Sequence, residues 1–587
     1  MREIRDDLRK TISTALSRLL EERGAEGVSS EEVVVENPPS PDLGDVAFPM
    51  FGYAKLFRSA PPAIAVALKE LIDTEDDLEI PGSAIAEGPY LNIRLDSTRL
   101  SGGILDKVFE RGDEYGRSDL YAGERTVVEF SCPNTNKPLH LGHLRNDAIG
   151  ESIARIYASA GAEVRKVNLI NDRGIHICKS MLAYTLFGEG KTPEGESRKS
   201  DHFVGDYYVA YNAYAAEEPK AEVQAREMLR RWENGETETM ELWNLMNRWA
   251  IEGIEETYRR TGVSFDMIYF ESQTYSRGKE EVLEGLDRGI FYRDETGTVW
   301  VDLTDEELDT KVLLRGDGTS LYITQDIGTA IARNDDWGFT KMIYVVGSEQ
   351  QYHFKVLFSI LRRLGYAWAD NCYHLSYGMV NLPEGKMKSR EGTVVDADDL
   401  IEELSSLALA EIREKGREEE ITDPEATAEK VALGALHYYL LQANPAKDMI
   451  FDPKKSISFN GSTGPYLQYT CARISNMLRK YEERKETFGK GKFSPKLLTV
   501  QDEWTLVKAI SDFQETVESA ARDYNPSIVA GYLYELAKVF SHYYHENPVL
   551  HNEDADLVVT RITLTRAVLQ VLKNGLELLN IPFLDRM

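Results

Sequence analysis

The sequence predicts an α/β protein built on a parallel sheet, with a small α+β module before the sheet and an all-helical region after it. Two stretches carry the sheet. RTVVEF at 125–130 leads through a loop and a helix to Gly161 and the strand EVRKVNLI, and KMIYVVGSEQQYHFKVLFSILRRLG at 341–365 repeats strand, loop and helix. Strands alternating with helices are the units of a parallel sheet. Length is the third observation: 587 residues exceed the roughly 250–300 at which one core stops growing. Three domains are therefore expected, at about 1–118, 119–400 and 401–587.

Taken in order, the first element is a helix over 2–23. It spaces Ile4, Leu8, Ile12, Leu16 and Leu19 along one face, intersperses charges and stops at Gly24. Those charges exclude a signal peptide. EEVVVEN at 31–37 reads as a strand, PPSPDLGD as a break, and EGPYLNIRL at 87–95 alternates like a strand. After the first unit of the sheet, an insertion from about 186 to 300 begins with the polar GEGKTPEGESRKSD and continues as a helical stretch rich in Trp and Tyr. The second unit ends at Gly365, a C-cap. Beyond KMKSREG the pattern is helical to the end, without internal repeats or low-complexity tracts.

No apolar run approaches the roughly 18 residues of a membrane span, so no membrane partner is expected. Cys132, Cys178, Cys372 and Cys471 form no CxxC pair, which argues against a disulfide framework or zinc finger and fits a reducing cytoplasm. The net charge of −30 disfavours long-range attraction to nucleic acid. A polyanion would need a local basic patch, and one is present: from Arg473 to Lys496 eight Lys or Arg stand against three Glu, with Tyr481, Phe488 and Phe493 among them. Charge alone reads equally as a solvated helix face.

The densest chemistry follows the strand VVEF. Glu129 ends that strand, SCPNTNKP is a loop, and a helix begins near Gly142 with Ala148, Ile149, Ile153 and Ile156 facing inward. Open α/β sheets bind ligands at the carboxyl ends of their strands, and helix N-termini offer free N–H groups to anions. His140 and His143 can donate hydrogen bonds to phosphate oxygens, and Gly142 lets a flat base approach the backbone. Two histidines could also be metal ligands, but no HxxE or CxxC completes a zinc set; a nucleotide is the favoured reading over metal or plain packing. No protein-held metal is expected.

His140-Leu141-Gly142-His143 resembles the HIGH signature of class I aminoacyl-tRNA synthetases, and GKMKSREG at 385–392 sits where their KMSKS loop falls. The strings EFSCPNTNKPLHLGHLRNDAIG, NDRGIH, LYITQDIGTA, VGSEQQYHF and GPYLQYTCARI are similar to the arginyl-tRNA synthetases in particular. The resemblance covers nearly the whole chain. It implies a Rossmann-type catalytic domain with an inserted connective domain, an N-terminal additional domain and a C-terminal anticodon-binding bundle. The implied chemistry is ATP-dependent activation of arginine, with Mg²⁺ accompanying ATP, then transfer to the 2′-hydroxyl of the terminal adenosine of tRNA-Arg. Activation in this family requires bound tRNA. A cytoplasmic monomer is expected.

The same resemblance assigns residues. His140, Gly142, His143, His353, Lys386, Lys388 and Ser389 would bind ATP. Ser389 stands where the KMSKS pattern has its second lysine, and family members with such a loop carry a lysine just before the first histidine; Lys137 occupies that place. Lys137, His140, His143 and Lys386 are thus the catalytic candidates. Glu129, Ser131, Asn134, Tyr322, Asp326 and Gln350 would bind arginine, whose planar fork suits a carboxylate; Tyr322 and Asp326, four apart, share a face if helical. Asp172 and His176 in NDRGIH line the site without an assigned role. Tyr90 and Asn92 would meet a D-loop base, and Tyr466, Gln468, Tyr469 and Arg473 the anticodon. Two rivals remain: a synthetase for another amino acid, against which the Glu129, Tyr322, Asp326 and Gln350 set argues, and a non-catalytic RNA-binding paralogue, motivated by the altered KMSKS-like loop.

Overall fold

The computed structural model describes residues 1–381, 383, 395–414, 421–488 and 491–587. The chain forms two compact units. One joins the N-terminal segment Met1–Gly116 to two later segments, Arg473–Thr516 and Glu535–Asn574; the other comprises Arg117–Ala472, Val517–Tyr534 and Gly575–Met587.

In the first unit the helix Arg2–Glu21 buries Leu8, Ile12 and Leu16, the face its spacing predicts. Three antiparallel strands, β1 (Val46–Pro49), β2 (Gly82–Glu87) and β3 (Tyr90–Leu95), form a sheet in the order β1-β3-β2. EEVVVEN is not the expected strand. Glu32 and Ser29 close a capping box that turns Ser30–Glu32 into a single 3₁₀ turn, and Glu36 alone of this stretch bridges to Ala47. The C-terminal segments complete this unit: Trp504 Nε1 (2.9 Å) and Lys508 Nζ (2.7 Å) both donate to Asp45, and the N-terminal ammonium donates to Ser511 O (3.1 Å).

The second unit contains the parallel sheet. Its strands are β4 (Arg125–Glu129), β5 (Glu163–Ile170), β6 (Met267–Phe270) and, after a small antiparallel sheet of β7 (Tyr292–Arg293), β8 (Val299–Val301) and β9 (Lys311–Leu314), β10 (Lys341–Gly347) and β11 (Cys372–Tyr377). The order β11-β10-β4-β5-β6 makes β4 central. Thr126 to Glu129 are all buried, as befits a strand covered on both faces. Residues 267–270, which the expected insertion included, return to the sheet as edge strand β6. The part of that insertion before β6 is helical, Ser200–Glu217, Ala221–Glu233 and Thr237–Thr261, and buries Phe203, Met246 and Trp249 with Met181; the part after it holds helix Glu271–Asp287 and β7.

Helices Glu271–Asp287 and Tyr322–Trp337 cross closely, because a Cβ on Gly278 would fall 1.7 Å from Thr324 O. A short pair, β12 (Val380–Asn381) with β13 (Met449–Ile450), precedes and follows the helices Ala397–Glu414 and Pro424–Leu441. No helix among the described residues is long and apolar enough to cross a membrane.

Candidate active site

The strands are all parallel, but the order of their addition reverses between β4 and β10: β5 and β6 extend one way from β4, β10 and β11 the other. Such a switch point opens a crevice at the carboxyl ends of the strands. Leaving β4, Ser131 and Cys132 both take positive φ, 73° and 51°, a region non-glycine residues seldom enter. Neighbours over-determine this turn. Ser131 N–H donates to Asn146 Oδ1 (2.5 Å), its hydroxyl bonds the Tyr258 hydroxyl (2.6 Å), and Cys132 N–H donates to Asn168 Oδ1 (3.0 Å). Asn146 also donates to Val345 O of β10 (2.8 Å), so one amide spans the switch. A cavity of about 490 Å³ opens there, lined by Ser131, Lys137, His140, Gly142, His143 and Asn146 among others.

The two histidines build the start of helix Leu141–Ser159. His140 is its N-cap, accepting the Gly142 N–H at Nδ1 (3.1 Å), while His143 Nδ1 accepts the His140 N–H (3.2 Å). This is a capping box made of imidazoles, with ring centroids 4.0 Å apart. Gly142 is required because a Cβ there would meet the His140 ring at 2.9 Å. An acceptor Nδ1 fixes the neutral tautomer with the proton on Nε2. Burial and the charge of Lys137 pull His140 down to about 4, and burial, His140 and Lys137 hold His143 well below its ordinary value. Each ring therefore keeps one N–H donor to offer a ligand.

Lys137 lines this cavity and a second one of about 460 Å³ beside it. Its ammonium makes no hydrogen bond or ion pair among the described residues, and burial lowers its pKa. The second cavity is also lined by Asn134, His176, Arg198 and Tyr208; His176 Nδ1 lies 3.0 Å from the Tyr208 hydroxyl.

The acidic candidates gather nearby. Glu129 is buried and paired with Arg333, itself 1% exposed and set over the rings of Tyr269 (5.2 Å) and Tyr344 (6.0 Å). Burial pushes Glu129 up, Arg333 pulls it back, and the charge of Asp326 adds to the rise. Tyr322, Asp326 and Arg333 lie on one helix. Tyr322 is 73% exposed, and Asp326 Oδ2 lies 2.5 Å from His353 Nε2. Gln350, exposed, closes the turn before the helix that carries His353. His353, expected at ATP, is thus engaged with Asp326. Asp172 accepts the Ser272 N–H (2.9 Å) and hydroxyl (2.6 Å) at the start of helix Glu271–Asp287. Lys386, Lys388 and Ser389 lie outside the described residues.

Comparison with known proteins decides the family. The family model for the catalytic domain of class I (R) tRNA synthetases matches residues 107–453, that for the arginyl-tRNA synthetase N-terminal domain residues 6–95, and that for the DALR anticodon binding domain residues 467–587. The chain belongs to the arginyl-tRNA synthetase family. Arginine–tRNA ligases of Treponema denticola and Treponema pallidum are 56% and 51% identical to it, with 100% of each chain covered. Among solved structures, the arginyl-tRNA synthetase of Thermus thermophilus has 27% identity and a TM-score of 0.79, covering 99% of this chain and 100% of its own.

For an arginyl-tRNA synthetase the RNA-facing candidates matter next. Tyr90, half-buried on β3, meets the edge of the 56%-exposed Phe51 ring at 5.7 Å, while Asn92 is buried beside Gly44. Tyr466 and Tyr469 are half-buried, and Tyr466 packs 5.8 Å from Tyr534. Gln468 is fully buried, its amide spent on Lys430 O (2.9 Å) and Pro582 O (2.8 Å). Arg473 lies over Tyr544 (5.4 Å) and lines a basic cleft with Lys480, Arg484 and His551.

Sequence reasoning missed Asn146, Tyr258, Arg333 and the buried Arg145, which donates to Met379 O, Pro445 O and Lys447 O at 2.8, 3.1 and 2.6 Å. For Arg145 and Asn146, RNDAIG, one residue after HLGH, was the available signal: polar residues on the inward face of a buried helix must find partners.

Proposed function

We propose that arginyl adenylate forms in the cavity at the switch point, with His140 and His143 gripping the phosphates of ATP through Nε2–H. The chain is an arginine–tRNA ligase that activates arginine with ATP and charges tRNA with it. The reciprocal histidine cap is the observation that carries the site assignment, because it fixes two neutral donors at a helix N-terminus without needing a ligand to orient them. Activation is an in-line attack by the arginine carboxylate on the α-phosphate, expelling pyrophosphate. Positioning and charge stabilisation are what the protein supplies.

Lys137, without a hydrogen bond or ion pair among the described residues and lining both cavities, offers the positive charge that the altered KMSKS-like sequence lacks at Ser389; Lys386 assists from that sequence. Glu129, Ser131 and Asn134 hold the α-amino end of arginine, and Tyr322, Asp326 and Gln350 its guanidinium. Mg²⁺ would accompany the phosphates of ATP; among the described residues Glu349 is the one carboxylate lining the cavity, which suits an ion that keeps its own waters and few protein ligands.

The 2′-hydroxyl of the terminal adenosine then accepts the arginyl group. Residues 1–118 contact the D-loop through Tyr90 and Asn92, and 401–587 the anticodon arm, with Arg473 and the basic cleft as the electrostatic contribution. Activation waits for bound tRNA, and the enzyme acts as a cytoplasmic monomer. Pyrophosphate exchange into ATP with each of the twenty amino acids, with and without tRNA, tests the reading: exchange is expected with arginine alone and only when tRNA is present. Exchange without tRNA would remove the tRNA gate; none with any amino acid would leave an RNA-binding paralogue.

A further inference from the structure

A second polar knot lies where the inserted helices meet the residues after the KMSKS-like sequence. Val395 to Ala397 run antiparallel to the start of the HLGH helix: Leu141 N–H donates to Val395 O (3.0 Å), Ala397 N–H donates to Leu139 O (3.0 Å), and His140 faces Asp396. The backbone of His140 is clamped on both flanks by this one bridge. Two such bonds are marginal in water by themselves.

Side chains fasten them. Asp396 Oδ1 accepts the N–H groups of Asp398 (2.9 Å) and Asp399 (3.2 Å). Asp398 Oδ2 accepts from Lys199 Nζ (2.7 Å) and lies 3.1 Å from His202 Nε2, with Asp396 3.5 Å from the same nitrogen. Lys199 also donates to Thr257 Oγ1 (2.6 Å) and Asp201 (3.1 Å), and Arg260 stands 3.7 Å from Asp398. Burial alone would push Asp398 up, but the hydrogen bonds from His202 and Lys199 outweigh it and leave its carboxyl well below the usual range. Burial likewise disfavours a charged His202, but Asp398, Asp396 and Asp201 together raise it. The knot is thus ionic and largely shielded. The Lys199 ammonium already occupies the space between Asp201 and Asp398, the one group of potential metal ligands among the described residues.

We infer that Lys199, His202 and Asp398 are positioning residues for adenylate formation, holding Val395–Ala397 on Leu139–Leu141 so that His140 and His143 meet ATP at a fixed place. This role presumes the two histidines as ATP ligands. A displacement of about 1 Å at reacting groups costs up to a hundredfold in rate. The inserted helices and the nucleotide site are then mechanically one piece.

The test is tRNA-supported, arginine-dependent pyrophosphate exchange on the full chain, recording kcat, KM for ATP, KM for arginine and Tm. Asp398→Asn, which is isosteric, and Lys199→Met are expected to raise KM for ATP about tenfold, the size of one lost charge-assisted hydrogen bond, with KM for arginine within about twofold. Lys199→Arg is expected to restore most of the loss. Unchanged KM for ATP with a lowered Tm overturns the inference, since a merely structural knot predicts that. His140→Ala separates the two levels: weaker ATP binding there but not in Asp398→Asn sinks the positioning role alone, and no effect in His140→Ala sinks the histidine assignment with it.

Discussion

Replacing Arg333 by Met should turn arginine recognition into a pH-dependent property. Arg333 is the ion-pair partner of Glu129, and the two side chains are 1% and 7% exposed, so neither charge has water to fall back on. Removing one member of a buried pair costs roughly 3–5 kcal/mol while the other stays charged. Methionine keeps much of the bulk between Tyr269 and Tyr344, so the loss is mainly of charge. Glu129 avoids most of it by taking up a proton. Burial already raises its pKa, Arg333 is the force opposing that rise, and the variant lacks it.

The sign follows by linkage. A carboxyl whose folded pKa exceeds its unfolded value binds a proton in the folded state that the unfolded chain has released, so stability falls as pH rises from about 4.5 to the raised folded value. That window extends further upward in Arg333→Met. Its Tm deficit should therefore be smallest near pH 6 and grow toward pH 9, while arginine binding, which needs the carboxylate, improves over the same range. Arginine KM in tRNA-supported exchange should rise at least tenfold at pH 7, about 1.4 kcal/mol or more, and decline as pH increases. Glu129→Gln combined with Arg333→Met should destabilise by less than the sum of the single changes. A KM increase identical at every pH would refute the claim that Arg333 acts through the ionisation of Glu129.

Two further outcomes are expected. Lys137→Ala should cost more than Lys386→Ala in the rate of adenylate formation, by about tenfold or more for the loss of one buried charge from the transition state; equal losses in single-turnover exchange would end the compensation idea. Gly278→Ala should destabilise by about 1–3 kcal/mol through overpacking against Thr324 O, and because Thr324 sits between Tyr322 and Asp326 it should raise KM for arginine more than KM for ATP.

The strand, loop and helix around HLGH were legible because one short string combined a strand end, a loop and a helix start, and each is a local property. The shared face of Tyr322 and Asp326 was legible for the same reason, since helical spacing is local. What holds those residues was not. Glu129 meets Arg333, Ser131 meets Tyr258, and Asp398 meets Lys199 across long stretches of chain that only tertiary packing brings together. EEVVVEN misled because its three valines suggest a strand while Ser29 and Glu32 offer a competing cap, and the cap prevails. Gln468 shows the limit of reading a helix face: its spacing allows exposure, but backbone carbonyls from two other segments claim its amide.

The unit that joins Met1–Gly116 to segments more than 350 residues later bears on how this protein is made. Asp45 leaves the ribosome long before Trp504 and Lys508, its partners. With synthesis at about 5–20 residues per second, roughly twenty seconds to a minute and a half separates them. Through that interval the N-terminal sheet must survive as a partial core, its docking face open to solvent and to chaperones, while the catalytic sheet is translated and can condense.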